Sequence, residues 1–261
     1  MIPSPNIWNW PDVYARENRA QDADGALWQA LAERVDWTGA DVVDVGCGDG
    51  FHLPRFAERA RSVTGVEPHG PLVQRARRRV RDLTGVRVLA GSAQGLPLPE
   101  ASADLVHART AYFFGPGCEP GLIEADRVLR PGGAVVILDL DGRHPPYGDW
   151  LCAAAPRYRP AAVEEFFTAR GFDCARVDTV WRFECRTDLD AALRIEFPAE
   201  VAAGAIAAIP GLTVPVRYRV HVRRKPAGLL RGSRWPPALT SRRRVRPSSC
   251  PVVVVPDWEL S

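Results

Sequence analysis

The pattern of apolar and polar positions switches repeatedly between a helical and a strand period. From 24 to 35, Leu27, Trp28, Leu31 and Val35 recur at helical spacing, with Asp24 placed to cap the first turn. Asp41 to Val45 is a short, mostly apolar run that reads as a buried strand ending in a glycine cluster. The spacing then predicts helices over 51–61, 71–82 and 122–129; the second carries Leu72, Val73, Ala76 and Val80 on one side. Strands are expected over 62–67, 86–90, 104–108 and 134–140. The nearly continuous apolar run of the last suits a strand covered on both faces. Strands alternating with helices mean βαβ units and a parallel sheet, hence a three-layer α/β sandwich with a doubly wound sheet. Beyond 140 the pattern gives a helix over 161–170, an alternating strand over 175–184, a helix over 189–209 and a second alternating strand over 214–223. Alternation with polar residues places these two strands near a sheet edge, and Pro215 fits only a strand start or an edge.

Composition changes this picture at one end. The 261 residues carry a net charge of +3, but six arginines after Pro226 face only Asp257 and Glu259. The stretch 1–225 is left with 28 basic and 29 acidic residues, a balance that argues against a chain whose main work is gripping nucleic acid. The stretch 226–261 holds six prolines, an arginine run and no helical period, so we expect a domain over 1–225 and a poorly ordered Pro/Arg-rich tail. Lys225 is the only lysine, which removes a buried Schiff-base lysine from consideration. Six scattered cysteines, with no histidine at zinc spacing, predict neither a disulfide framework nor a metal site. No apolar run reaches the length of a membrane span and no secretory signal pattern opens the chain, so the expected compartment is the cytoplasm.

The strongest chemical signal is Asp44-Val-Gly46-Cys-Gly48-Asp-Gly50, a D-x-G-x-G-x-G turn between the first strand and its helix. Glycine permits positive φ and lets backbone approach a ligand with no Cβ between them. The turn lies at the carboxyl end of a parallel strand, where open α/β sheets bind ligands. A dinucleotide fingerprint would need glycine at 51, where Phe51 stands, and no Walker lysine follows. Glu67 ends the second strand, where a carboxylate can accept hydrogen bonds from both hydroxyls of a ribose. Read singly, the first is a tight strand–helix connection and the second a solvated loop carboxylate; together they are far more specific.

With the segments Thr64-Gly-Val-Glu-Pro, Gly95-Leu-Pro-Leu-Pro-Glu-Ala-Ser-Ala-Asp-Leu-Val and Glu124-Ala-Asp-Arg-Val-Leu-Arg-Pro-Gly-Gly in order behind it, the region 41–141 resembles the class I S-adenosylmethionine-dependent methyltransferases, and within them the type 11 group. The resemblance implies a Rossmann-like sheet of seven strands, mostly parallel, with the last antiparallel. It implies S-adenosyl-L-methionine as cofactor. Asp44, Gly46 and Gly48 would face its methionine part, with Gly50 completing the turn, and Glu67 would hold the ribose. Pro68 and His69 would flank the adenine. Ser92 stands where the family often has an aspartate for the adenine amino group, a role left to its hydroxyl or to the Ala93 backbone. Ala108 and Arg109 would meet the methionine amino group, and Tyr14 and Arg19 its carboxylate.

The acceptor side is much less legible. Candidates for a base are His107, Tyr112, Asp141 and His144, with Arg109, Asp139, Tyr147 and Asp149 nearby in sequence. Each also has a structural reading: His107 as a satisfied strand histidine, Tyr112 as core or lid, Asp141 and His144 as loop polar residues. The segment 8–19 reads either as a cover over the cofactor or as a helix packed on the sheet. The leading expectation is methyl transfer to a small-molecule acceptor. The arginines of 75–81 and 242–246 keep an RNA methyltransferase open, and a fold that binds the cofactor without reacting is the non-enzymatic alternative.

Overall fold

The computed structural model describes residues 4–227, so the expected tail from 228 onward lies outside the described residues. In chain order the elements are α1 (Pro5–Asn9), α2 (Pro11–Ala20), α3 (Ala26–Arg34), β1 (Asp41–Val45), α4 (Leu53–Ala57), β2 (Ser62–Glu67), α5 (Gly70–Val80), β3 (Val86–Ala90), β4 (Ala103–Arg109), α6 (Glu119–Val128), β5 (Leu129–Leu140), α7 (Tyr147–Ala154), α8 (Pro160–Thr168), β6 (Asp173–Arg182), α9 (Arg186–Glu196), α10 (Ala199–Ala208) and β7 (Thr213–Arg224). The strands form one sheet in the order β3-β2-β1-β4-β5-β7-β6. Pairs among β1 to β5 are parallel, and β7 runs antiparallel to both β5 and β6. This is the expected seven-stranded sheet with its last strand reversed. Among the described residues no helix is long and apolar enough to cross a membrane.

Two apolar layers cover the sheet. On one face Leu27, Leu31, Leu53, Phe56, Val73, Leu193 and Phe197 pack from α3, α4, α5 and the α9 region. On the other, Leu122, Ala125, Phe166 and Phe167 pack from α6 and α8. Val135, Val136, Ile137 and Leu138 of β5 are all buried, as its continuous apolar run required.

The differences from expectation have local causes. Asp22, not Asp24, caps α3, its carboxylate accepting from the amides of Leu27 at 2.9 Å and Trp28 at 3.3 Å. Gly25 takes φ 72° between them and so moves the helix start. The helix expected over 51–61 shrinks to Leu53–Ala57. The helix expected over 189–209 is split at Phe197 and Pro198, because proline has no amide to continue the ladder. β7 is an interior strand, yet Pro215 is tolerated because pairing with β5 begins only at Tyr218. At Pro215 β7 has β6 alone beside it, so the strand is locally an edge. The segment 8–19 is helical, and α2 packs against α9 more than against the sheet.

Candidate active site

The strand order reverses between β1 and β4, and a cavity of about 260 Å³ opens there at the strands' carboxyl ends. One wall comes from the sheet: Gly46, Cys47 and Gly48 after β1, Glu67 and Pro68 after β2, Ser92 and Ala93 after β3, Arg109 to Tyr112 after β4, and Asp139 and Leu140 at the end of β5. The facing wall comes from helices: Asn6, Ile7 and Trp8 of α1, Tyr14 and Glu17 of α2, Tyr147 and Leu151 of α7, and Ile195 and Glu196 of α9.

All three glycines of the turn have positive φ, at 72°, 56° and 80°. Their surroundings differ. A β-carbon on Gly46 would stand 2.5 Å from that of Ala111, and one on Gly48 2.8 Å from Ile7 Cδ1. On Gly50 it would press 3.1 Å from Ala76 Cβ. Gly50 therefore serves close packing of α5 and does not line the cavity, a departure from the expected cofactor role.

Glu67 is buried and holds the turn together: Oε2 accepts from the Gly48 amide at 3.1 Å and Oε1 from the His69 amide at 2.9 Å. Each oxygen keeps a lone pair for a further donor. Burial pushes the carboxyl up, and the two amide hydrogen bonds oppose that rise.

Other expected positions fall elsewhere. Asp44 lies beneath the turn, its Oδ1 2.7 Å from His107 Nδ1, and both side chains are buried. His107 also meets Phe56 edge-on with ring centroids 4.9 Å apart, so it is a satisfied strand histidine. His69 stacks on Trp8 at 4.6 Å, behind the cavity wall. Ala108 is buried in β4, and Arg19 is exposed and away from the cavity. Arg109 is the guanidinium that lines it: Nη2 donates to Gln21 Oε1 at 2.9 Å, the group lies 5.3 Å from the Tyr218 ring, and Nε is buried with no partner. Of the four candidate bases only Tyr112 borders the cavity, with φ 53° on a non-glycine residue. Asp141 is held by Arg176 at 3.2 Å and caps the Arg143 amide at 3.1 Å. His144 sits 4.0 Å from Asp178, outside the cavity. Asp149, at the start of α7, does not line it either.

Two groups of acids border the far end, with Asp139 and Glu17 buried and Glu196 half-buried. Asp139 pairs with Arg219 through both oxygens, at 3.0 and 2.6 Å, and Arg219 also donates to the Tyr158 hydroxyl at 2.9 Å. Burial opposes the charge of Asp139, but Arg219 and His221 outweigh it and leave the carboxyl below its usual value. The second group was missed from sequence. Glu17 accepts from Gln21 Nε2 at 2.8 Å through Oε1, while Oε2 has no partner of good hydrogen-bond geometry and faces the Glu196 carboxyl. Glu196 accepts from Asn6 Nδ2 at 2.6 Å and from the Tyr147 hydroxyl at 3.1 Å. Burial pushes both carboxyls up, Glu17 most, since Glu196 faces it. One signal was available: Glu196 continues the Leu189, Ala192, Leu193 face of α9, a carboxylate on an apolar stripe.

A reversed last strand, a glycine turn at positive φ and a buried acid ending β2 at the switch point together define the class I methyltransferase fold. Residues 43–137 match the model of the methyltransferase domain family, type 11. Among curated relatives, an uncharacterized 37.1 kDa protein in a transposon of Streptomyces fradiae is 33% identical over 142 residues, covering 52% of this chain and 40% of that protein. A fatty-acid O-methyltransferase of Mycolicibacterium smegmatis is 32% identical over 120 residues, covering 45% and 43%. The chain thus spans less than half the length of these relatives. The crystal structure of a putative methyltransferase from Bacillus halodurans superposes with a TM-score of 0.57 at 18% identity, over 78% of this chain and 99% of that one, which shows the fold.

Proposed function

We propose that this chain transfers a methyl group from S-adenosylmethionine to a small-molecule acceptor. The observation that carries the reading is the glycine turn and Glu67 facing one cavity. The residues fit that cofactor. Glu67 has spare acceptor capacity for a ribose diol, and Arg109 Nε is a buried donor without a partner, suited to an amino-acid carboxylate. Gly46, Gly48, Pro68, Ser92 and Ala93 would hold the remainder, with Tyr14 beside Arg109 and Thr110. Arg109 takes the part first expected of Arg19.

When bound, the cofactor supplies an activated methyl group; the chain's work is to orient the acceptor and exclude water. Leu140, Leu151, Ala154, Trp181 and Ile195 give the acceptor end apolar side chains beside its acids. That favours a small acceptor with an apolar body, the one feature it would share with the fatty acid for which the mycobacterial relative is named. RNA is less well supported, because three of the four α5 arginines are engaged within the molecule: Arg75 with Asp12, Arg77 with the Val88 carbonyl, Arg79 with Asp49. The test is calorimetry with S-adenosylhomocysteine, followed by mass analysis of extract fractions incubated with labelled cofactor. Binding plus a labelled small molecule supports the reading; binding with no labelled product would leave a cofactor-binding module, and no binding would refute it.

A further inference from the structure

The acceptor end holds an arrangement that the methyltransferase reading does not require. Glu17 comes from α2 and Glu196 from α9, two helices packed on one another, and both carboxyls line the cavity. Glu17 is 1% exposed, and no cation is hydrogen-bonded to its carboxyl. The groups facing it from the surrounding elements are Glu196, the hydroxyls of Tyr14, Tyr147 and Tyr218, and the guanidinium of Arg109, which Gln21 and the Tyr218 ring hold in place. Asn6 and Tyr147 both donate to Glu196, so its charge is supported, whereas Glu17 Oε2 is left without a partner of good geometry. Burial and the facing carboxyl both push Glu17 up, and Arg109 only partly offsets them, so the pair favours sharing one proton.

We propose that Glu17 and Glu196 form a one-proton carboxyl dyad that receives the acceptor's proton, and that the acceptor is therefore an amine or alcohol on an apolar body, not a carboxylate. This rests on the methyltransferase reading. The acceptor heteroatom forms its bond to the methyl carbon as the methyl–sulfur bond breaks with its electron pair going to sulfur. The heteroatom's proton passes to the dyad, which goes from one proton and one negative charge to two protons and none. A carboxylate acceptor would need no base and would be repelled by the dyad's charge. A neutral alcohol donates to that charge, and a protonated amine passes its proton to the dyad before attack, which frees the nitrogen lone pair; Tyr147, Tyr158 and Trp181 line the same cavity.

The test uses the full chain saturated with S-adenosylhomocysteine and three probes of equal chain length: octylamine, octanol and octanoate. Calorimetry should show octylamine and octanol bound at least about tenfold more tightly than octanoate, and E17Q and E196Q should each shrink that gap. Infrared spectra at neutral pH should show a protonated carboxyl band that E17Q removes, a readout independent of turnover. Equal binding of octanoate, or no such band in the wild type, overturns the proposal; both measurements decide even if neither variant folds. A tenfold loss of S-adenosylhomocysteine affinity in E17Q, with the probe preference intact, also overturns it, because the dyad would then serve the amino-acid end of the cofactor. Failure of the wild type to bind S-adenosylhomocysteine refutes the methyltransferase reading itself, a distinct outcome.

Discussion

The two walls of the cavity deal with buried charge in opposite ways. On the sheet wall each acid has fixed donors: Glu67 has two backbone amides, and Asp139 has the Arg219 guanidinium. On the helix wall Glu17 and Glu196 face each other, with side-chain amides and a tyrosine for support and no cation hydrogen-bonded to them. Strand ends and their following turns are positioned by the hydrogen-bond ladder, so a partner placed there stays placed. Helices packed side by side set carboxyls at a fixed distance without supplying a compensating charge. The sheet wall is therefore built for stable recognition, and the helix wall keeps a group whose protonation can change.

The largest effect should come from Asp139. Asp139→Leu leaves Arg219 charged and buried without its partner, so urea denaturation should show a loss of ~3–5 kcal/mol. Glu17→Gln, on the opposite wall, keeps the size and strands no buried ion, so it should cost far less in the same measurement. The contrast between the walls breaks if the two variants lose equal stability. Gly48→Val should reduce S-adenosylhomocysteine affinity more than about a hundredfold in calorimetry while the protein stays folded, because valine resists φ 56° and its side chain would collide with Ile7. Near wild-type affinity in a folded variant would remove the turn from the site.

Glu67→Gln keeps size but loses charge and one acceptor. Cofactor affinity should fall roughly ten- to a hundredfold, equivalent to ~1.4–2.8 kcal/mol, with KM for the cofactor rising and kcat nearly unchanged. A fall in kcat at saturating cofactor would move Glu67 to the acceptor end. The smallest effect concerns pH. Burial opposes a charged His221, yet Asp139, 3.5 Å away, and Cys174 raise the imidazole to about 9. A folded-state value above the unfolded one of ~6.5 means stability that is full below that pH and lost as pH rises through about 9. The urea midpoint should fall across this window in the wild type and stay flatter in His221→Gln; parallel profiles would exclude the imidazole as the source.

The same division explains what the chain's letters disclosed. The order of βαβ units, the buried β5 and the reversed last strand follow from short-range periodicity and from a family resemblance carried by contiguous motifs. Gly46, Gly48 and Glu67 were legible because one local turn assembles them. Glu17 and Glu196 are 179 positions apart, and only the packing of α2 on α9 brings them together. Asp44 and Arg19 were misplaced for a related reason. Sequence showed which residues lie near the strand ends, but not that His107 on the neighbouring strand would claim Asp44, or that Arg19 would point outward from α2.

One short element touches both walls. α1 has five residues, far fewer than the ~12–15 an isolated helix needs, so it persists only through its anchors. Ile7 rests over Gly48, Trp8 stacks on His69, and Asn6 donates to Glu196. On the methyltransferase reading, ligands leaving the cavity would pass this segment, and its unlatching would then help set their rate of release. We expect Trp8→Ala to speed S-adenosylhomocysteine dissociation in stopped-flow experiments more than it weakens equilibrium binding, because entry accelerates as well. Unchanged dissociation would mean that the exit lies elsewhere and that α1 is a wall and not a door.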